Sequence, residues 1–290
     1  MFRSAEDAAI SATIALALEV SSDPKAGNVD RGHDFEELKF EDFLISAITA
    51  FPYFFRAAKK RKLYILNAIK KARKYGVKTN VHFGAFLLLF PLTVVWDSSD
   101  SKTAGKRATE FLKSTDYSDS LKILKAFNLC KARVLATGEL SLHDKKTEIE
   151  IIKRRMNVYD WMMLAPKENL IASELTNCYK ISVEGARFLL ESERDGRESI
   201  VFLYHRLLAS YPDTLIIAKK GIEVARDVMK LAEKALENGI EGFRKLDSFL
   251  IGNDINPGTI ADLTASSIFL ALLEGWKFET KGFRIEKWNK

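Results

Sequence analysis

The sequence predicts an all-α protein, a single-domain multi-helix bundle that occupies residues 1–290 and has buried central helices. Three observations predict this class. Six prolines and 15 glycines in 290 residues are too few for many short strands joined by tight turns. Apolar residues make up 47% of the chain and recur at helical spacing along most of it. No Gly/Ser-rich linker or low-complexity segment divides the chain, so we expect one domain.

The first half of the chain is predicted to form six helices. Ser4 is a suitable N-cap for the first, and Pro24 ends it near Ser22, because proline disfavours α geometry in the residue before it. The fourth is the most apolar and would be roughly 24 Å long, short of the roughly 30 Å hydrocarbon core of a bilayer. We therefore expect a buried helix of a soluble protein. The predicted ranges are Ser4–Val20, Glu41–Ala58, Arg61–Lys74, Val81–Trp96, Thr103–Lys113 and Ser118–Cys130.

The second half is also predicted to be mostly helical. Arg133–Asp144 is predicted to be extended or irregular. Apolar and polar residues alternate over Trp276–Trp288, which predicts a small C-terminal β-hairpin that packs on the body or on a second copy of the chain. The sequence therefore leaves open whether the chain forms a homo-oligomer. The segments predicted to be mostly helical with breaks are Glu148–Met163, Lys167–Leu190 and Glu198–Ser210, and the predicted helices are Asp213–Asn238, Gly242–Leu250 and Pro257–Glu274.

Charge and cysteine content argue against several classes of protein. The net charge is +6, and the densest basic run, residues 59–62, is typical of a solvated helix face rather than of a nucleic-acid-binding stripe. A patch that attracts a polyanionic ligand such as a nucleotide is the alternative. Cys130 and Cys178 form no CxxC pair, which argues against a disulfide or zinc scaffold. Acidic residues near the start argue against a signal peptide, so we expect a cytoplasmic protein with no nucleic-acid or membrane partner.

Four polar segments precede apolar helices, and the first is the loop of residues 21–34. It places Asp30, Arg31, His33 and Asp34 within five positions. Carboxylates suit Mg²⁺ and the phosphates that it carries, and arginine suits bidentate phosphate binding. The alternative is an exposed polar loop with local salt bridges.

The second and third segments also lie at predicted helix starts. Asn80 and His82 begin the most apolar helix and need a partner or a ligand there, while Gly84 lets another backbone or a ligand come close. Asp213 is well placed to cap a helix, and Lys219 lies nearly two turns further on. For the second segment, the alternative is a helix N-cap beside a histidine whose hydrogen bonds are satisfied within the protein. For the third, it is an aspartate N-cap and a lysine whose ammonium reaches solvent.

The fourth segment leads into the last buried helix. Asn256 is a suitable N-cap, Pro257 is favoured at the first helical position, and Gly258 bares the backbone N–H groups of the first turn. Such a turn attracts anions. Asp262 lies one turn beyond Thr259 among apolar residues, where a carboxylate is costly without a metal or cation. Three of these N-termini converging on one cavity would hold a triphosphate.

The same segments carry a resemblance to a known family. In this order they resemble triphosphoribosyl-dephospho-CoA synthases, over about residues 5–275, and the middle region is similar to the archaeal branch. The matching motifs, with x for positions that do not count, are Glu19-Val20-Ser21, Pro24-Lys25-x-Gly27-x-Val29-Asp30-Arg31, Asn80-x-His82-x-Gly84, Asp213-Thr214 and Asn256-Pro257-Gly258-Thr259-x-Ala261-Asp262-Leu263.

The resemblance implies an all-helical transferase that uses ATP and 3′-dephospho-CoA. In this family the 2′-hydroxyl of dephospho-CoA displaces adenine from the ribose of ATP, which yields a prosthetic-group precursor. The alternatives are a nucleotide-dependent transferase with a different acceptor and a non-catalytic nucleotide-binding protein of the same fold. The chain departs from the family pattern at Phe83, where lysine is usual, and at Leu215, where asparagine is usual.

The resemblance and the chemistry of the side chains together assign candidate roles. The catalytic candidates are Asp213, Asp262, Asp30 and His82. The nucleotide-binding candidates are Lys25, Arg31, Asn80, Thr214, Lys219, Gly258 and Thr259. The cofactor expected with ATP is Mg²⁺, and its candidate ligands are Asp213, Asp262 and Asp34.

Overall fold

The computed structural model describes residues 1–35, 37–132, 135 and 146–279. Within these residues the chain forms 15 α-helices and no strand, as the prediction of an all-α protein requires. The helices are α1 (Ala5–Ser21), α2 (Phe40–Lys60), α3 (Ile65–Lys74), α4 (Phe83–Val94), α5 (Ser101–Lys113), α6 (Tyr117–Cys130), α7 (Thr147–Arg154), α8 (Val158–Met162), α9 (Leu170–Thr176), α10 (Lys180–Glu191), α11 (Gly196–Ser210), α12 (Thr214–Lys220), α13 (Ile222–Glu237), α14 (Gly239–Gly252) and α15 (Gly258–Leu273).

Helices α4 and α15 form the centre of the molecule and pack against each other. Their apolar residues lie on all sides, as expected of a helix surrounded by protein. Around α15 lie α1, α10, α11 and α12, and around α4 lie α1, α2, α3, α5 and α9. The residues of these two helices that escape full burial are Gly84 in α4 and Gly258, Asp262 and Leu272 in α15. Three of these four lie in the first or second turn of their helix.

The predicted helix starts agree with the structure where a capping side chain marks them. Ser4 caps α1 by accepting the N–H of Asp7 at 3.0 Å. Asp213 caps α12 in the same way, through the N–H of Ile216. These caps satisfy N–H groups that have no partner within the helix.

Glu148–Met163 and Lys167–Leu190, predicted to be mostly helical with breaks, each form two helices, and the predicted continuous helix Asp213–Asn238 is wrong because it is also two helices. Glu148–Met163 breaks at Arg155, which has a left-handed backbone with φ of 50°. Lys167–Leu190 breaks at Cys178 and Tyr179, whose φ angles are 59° and 57°. Asp213–Asn238 breaks at Gly221, whose φ of 94° suits glycine and ends α12.

The predicted C-terminal hairpin has no support in the residues that the structure describes. Residues 276–279 form no strand, and the N–H of Gly196, at the start of α11, donates to the carbonyl of Glu279 at 2.7 Å. This segment therefore pairs with a helix start rather than with a second strand. The rest of the predicted hairpin, residues 280–288, and all of Arg133–Asp144 except Leu135 lie outside the described residues.

No helix among the described residues combines the length and the apolarity that crossing a membrane requires. The apolar helix α4 has 12 residues and contains Pro91.

Candidate active site

A cavity lies where four helices begin. Residues from the first turns of α4, α9, α12 and α15 line it, together with residues of α1 and of the loop that follows α1. The cavity and the open solvent at its mouth together contain about 1070 Å³ of empty space. Its polar lining residues are Glu19, Asn28, Asn80, His82, Asn169, Thr214, Asn256, Thr259 and Asp262.

The predicted convergence of three helix N-termini on one cavity is confirmed for α4, α12 and α15. The cavity is lined by Gly84 of α4, Thr214 of α12 and Gly258 of α15. The start of α9, capped by Asn169, is a fourth contributor that sequence reasoning missed. Backbone N–H groups of the longer helices α4 and α15 give this end of the cavity a positive potential.

The Asp262 side chain lies in this positive region. Its carboxyl group lies so close to the Cα of Gly84 that a Cβ there would come within 2.0 Å of one carboxyl oxygen. It accepts the backbone N–H of Ala85, in the first turn of α4. Burial raises the pKa of the Asp262 carboxyl well above its usual value, and the nearby carboxylates of Glu19 and Asp213 raise it further. No salt bridge pairs it with a cation among the described residues, so the site favours the protonated form.

The Asp213 carboxylate has a different environment. It is fully buried, and its Oδ1 accepts the N–H of Ile216 at 2.9 Å while its Oδ2 accepts the N–H of Ile260 at 2.8 Å. One carboxylate therefore joins the starts of α12 and α15. Burial raises the pKa of Asp213 to about 6, against the opposing effect of these N–H groups. Asp213 is not among the cavity-lining residues.

Two buried polar side chains of the cavity have unused hydrogen-bonding atoms. His82 is 4% exposed, and neither of its ring nitrogens has a hydrogen-bond partner. Burial lowers the pKa of His82 to about 3, and the charge of Lys25 lowers it further, so the imidazole is neutral. The Oδ1 of Asn256 also lacks a partner. Buried polar atoms are almost always paired, so these atoms indicate a bound ligand.

Glu19 and Lys25 form an ion pair at the inner end of the cavity. The Lys25 ammonium is fully buried and donates to Oε1 of Glu19, while its backbone N–H donates to Asp30 at 2.9 Å. Burial raises the pKa of Glu19, and Lys25 opposes that shift. Glu19 lines the cavity and Lys25 does not. Lys25 was predicted to bind the nucleotide directly, and the structure places Glu19 between it and the cavity.

Asp30 holds the loop after α1 in place. Its Oδ2 accepts the N–H of Lys25, and its Oδ1 accepts the N–H of Gly32 at 2.7 Å and of His33 at 3.2 Å. The ring of His33 lies between Asp30 and Asp247 of α14, at 3.3 and 3.6 Å. Burial alone would raise the pKa of Asp30, but the hydrogen bonds from His33 and the backbone lower it below its usual value.

The remaining predicted residues divide into two groups. Thr214 and Thr259 line the cavity and also join helices: Thr214 accepts the N–H of Leu170 at 3.0 Å, and Thr259 accepts the N–H of Leu215 at 3.2 Å. Asn80 lines the cavity and accepts the N–H of Phe83 at 3.1 Å. The other three, Arg31, Asp34 and Lys219, do not line it, and neither do Asp213, Asp30 and Lys25.

The three predicted Mg²⁺ ligands are not brought together. Asp34 is exposed and accepts the N–H of Phe40 at the start of α2, while both oxygens of Asp213 bind backbone N–H groups. In the part of the chain that the structure describes, no three histidine, cysteine, aspartate or glutamate side chains form a group that fits a metal ion. The three carboxylates are therefore not a preformed metal site, and the Mg²⁺ requirement stays a prediction.

Sequence reasoning missed three polar residues of the cavity. Glu19 is on the apolar helix α1, where a buried carboxylate stands out as costly. Asn28 lies in the loop that was singled out, and its side chain donates to the carbonyl of Pro257 at 3.4 Å. Asn169 caps α9, and the start of this helix was not placed within the predicted segment Lys167–Leu190. Only Glu19 carried a signal of its own.

The fold and the cavity together define a class of protein. An all-helical body presents helix N-termini, a carboxyl group without a cation and unpaired polar atoms to one cavity. This is the environment of a small polar anion on which proton-transfer chemistry acts.

Comparisons with known proteins name the family. A model of the ATP:dephospho-CoA triphosphoribosyl transferase family matches residues 5–280. A crystal structure from Archaeoglobus fulgidus, named as a triphosphoribosyl-dephospho-CoA synthase, is 46% identical, with a TM-score of 0.70 over 81% of this chain and 100% of that one. No curated protein matches the chain. The chain belongs to the ATP:dephospho-CoA triphosphoribosyl transferase family and is a transferase.

Proposed function

We propose that the cavity at the starts of α4 and α15 is where this chain transfers the triphosphoribosyl group of ATP to 3′-dephospho-CoA with release of adenine. The observation that carries the proposal is the Asp262 carboxyl group, which faces the cavity beside the first turn of α4 without a cationic partner. A protonated carboxyl group suits the departure of a purine base, which needs a proton on a ring nitrogen.

The triphosphate stays on the product, so the site must hold it without breaking it. The first turn of α15, at Gly258 and Thr259, and the first turn of α4 offer backbone N–H groups and the positive ends of two helix dipoles. These groups bind phosphate oxygens and leave no nucleophile beside the phosphorus atoms. The neutral His82 ring offers one donor and one acceptor to the bound nucleotide.

The ribose carbon gains positive charge as its bond to adenine breaks. Carboxylates next to such a carbon stabilise it, as they do in glycoside hydrolysis. Asp262 becomes a carboxylate when it gives up its proton, so it acts first on the base and then on the ribose. Asp213, Asp30 and Lys25 act through structure: Asp213 holds two helix starts, Asp30 holds the loop, and Lys25 holds Glu19.

The test is adenine release. The chain is incubated with ATP and Mg²⁺, with and without 3′-dephospho-CoA, and free adenine and the nucleotide product are measured by chromatography and mass spectrometry. We expect adenine only when dephospho-CoA is present, together with a product that keeps all three phosphates. Adenine release with cell-extract fractions but not with dephospho-CoA would indicate another acceptor.

Two further arms complete the test. Addition of EDTA tests the Mg²⁺ requirement, and we expect adenine release to stop. A melting temperature that ATP does not change, together with no adenine under any condition, would contradict the proposal and leave a non-catalytic protein of the same fold.

A further inference from the structure

Three ionisable side chains line the cavity within the described residues, and they differ in what surrounds them. They are Glu19, His82 and Asp262. Asp262 has no cation beside it, and His82 is neutral beside Phe43 and Phe86, with ring centroids 5.1 and 5.7 Å away. Glu19 alone has a full positive charge in contact, the Lys25 ammonium. The cavity therefore contains one carboxyl group without a cation and one in contact with a cation.

We propose that Glu19, held by the buried Lys25 ammonium, is the second catalytic carboxylate of this site and takes the proton of the attacking 2′-hydroxyl of the acceptor. This inference rests on the proposed function. Where the environments of two acids in one site differ in this way, the acid beside the cation is the candidate for the base and the other is the candidate for the proton donor.

The geometry leaves one oxygen of Glu19 for the reaction. Its Oε1 accepts the Lys25 ammonium, and no hydrogen bond involves Oε2 among the described residues. Because Glu19 lines the cavity, Oε2 is the atom that a ligand hydroxyl reaches. Lys25 fixes the side chain, and its charge favours the carboxylate form against burial, which raises the pKa of Glu19.

Among the residues that the structure describes, the other fully buried carboxylates, Asp30, Asp213 and Glu174, lack such an oxygen. Asp213 uses one oxygen for each of two helix starts. Asp30 uses both for the loop after α1. Glu174 in α9 accepts the N–H groups of Ile181 and Ser182, both at 2.8 Å, one on each oxygen. All of these carboxylates are buried, so burial does not set Glu19 apart. Glu19 differs because it lines the cavity and has an oxygen without a hydrogen bond.

The proposed step balances in atoms and charge. The oxygen of the 2′-hydroxyl forms a bond to C1′ of the ATP ribose, and the C1′–N9 bond breaks with its electron pair leaving on adenine. The hydroxyl proton passes to Glu19, and the proton of Asp262 passes to adenine. After product release, Glu19 loses its proton and Asp262 regains one through solvent at the cavity opening.

The test compares Glu19→Gln with the wild-type chain in the adenine-release assay. Glutamine keeps the size of the side chain and an oxygen for Lys25, but it accepts no proton. We expect kcat to fall by about 10² to 10³-fold, as loss of a general base usually causes, while KM for ATP changes less than about threefold. A purely structural role would instead change stability or KM.

Glu174→Gln is the matched control, because it removes an equally buried carboxylate outside the cavity. We expect its kcat to stay within about threefold of wild type. Glu19→Ala supplies a second readout. Added formate, which fits the space of the lost carboxylate, should raise the kcat of this variant by at least about tenfold.

The outcomes separate the two proposals. A wild-type chain that releases no adenine overturns the proposed function. An active wild type together with a Glu19→Gln variant that keeps its kcat overturns only the role of Glu19. A Glu19→Gln variant that loses ATP binding in proportion to its activity assigns Glu19 to binding and also overturns that role.

Discussion

The starts of α12 and α15 each carry an aspartate that the sequence analysis names as a catalytic and Mg²⁺-binding candidate, and the structure gives the two side chains different surroundings. Asp213 and Asp262 are both surrounded by apolar residues, and burial raises the pKa of both. Asp213 has a backbone N–H on each oxygen and lies behind the cavity, whereas Asp262 faces the cavity with Ala85 as its backbone donor. Burial is therefore common to the two carboxyl groups, and it is their hydrogen bonds and their position relative to the cavity that distinguish them.

The largest expected effect is that of Asp262→Asn. Asparagine keeps the shape of the side chain and accepts the N–H of Ala85, but it has no acidic proton to give. We expect kcat for adenine release to fall by about 10³-fold, with a melting temperature within about 2 °C of wild type, since a buried carboxyl without a cation contributes little to stability. A variant with wild-type kcat would remove the distinction between the two aspartates.

Asp213→Ala is the converse test. It leaves buried N–H groups at the starts of two helices without acceptors, so we expect a loss of about 3 kcal/mol in the free energy of unfolding. Thermal unfolding should show this as a melting temperature lower by about 5–10 °C. The folded protein should keep kcat within about tenfold. Normal stability with complete loss of turnover would instead place Asp213 in the chemistry.

Gly84→Ala sharpens the comparison without changing either aspartate. The new Cβ would come within 2.0 Å of a carboxyl oxygen of Asp262 and must displace it. We expect kcat to fall by about tenfold or more, because small misplacements of a catalytic group are costly. Stability should change little, since alanine favours the helix. Unchanged kinetics would show that the position of the Asp262 carboxyl is unimportant.

The smallest effect concerns His33, whose ring lies between two carboxylates outside the cavity. Burial alone would lower the pKa of His33, but Asp30 and Asp247 raise it above its usual value. The folded state therefore binds the proton more tightly, so this contribution is complete below about pH 6.5 and disappears as the pH rises through the raised pKa.

His33→Gln should remove that pH dependence. We expect the wild type to exceed the variant by about 1 kcal/mol or less at pH 5.5, and the difference to vanish at pH 8.5, in chemical unfolding experiments. A difference that grows with pH would contradict the assigned direction. Turnover of the variant should stay close to wild type, because His33 does not line the cavity.

The sequence predicted what local rules determine. Asn256-Pro257-Gly258 placed the start of α15 to within one residue, and Ser4 marked the start of α1. The predicted N-cap role of Asn256 is wrong, because Pro257 precedes the helix, no side chain caps it, and the Oδ1 of Asn256 has no hydrogen-bond partner. Partners that are distant along the chain were out of reach: the N–H that Asp213 accepts from Ile260 lies 47 residues away. Without that contact, Asp213 and Asp262 are equivalent candidates.

The same limit explains how Lys25 was interpreted. A lysine in a polar loop is usually solvated, and this one was predicted to bind a nucleotide. Its ammonium donates to Glu19, which is six residues earlier and within α1, although Lys25 itself lies beyond the end of that helix. Burial of both partners depends on α11, whose Tyr204 ring lies 5.8 Å from the ammonium, and no local pattern encodes that packing.

The central claim is that the nucleotide binds in the cavity with its ribose beside Asp262, and a crystal structure of the chain with ATP tests it most directly. We expect the triphosphate at the first turns of α4 and α15, and C1′ of the ribose in contact with the Asp262 carboxyl group. A nucleotide bound on the basic face at residues 59–62, or one whose phosphates contact Asp262 while the ribose points to solvent, would contradict it.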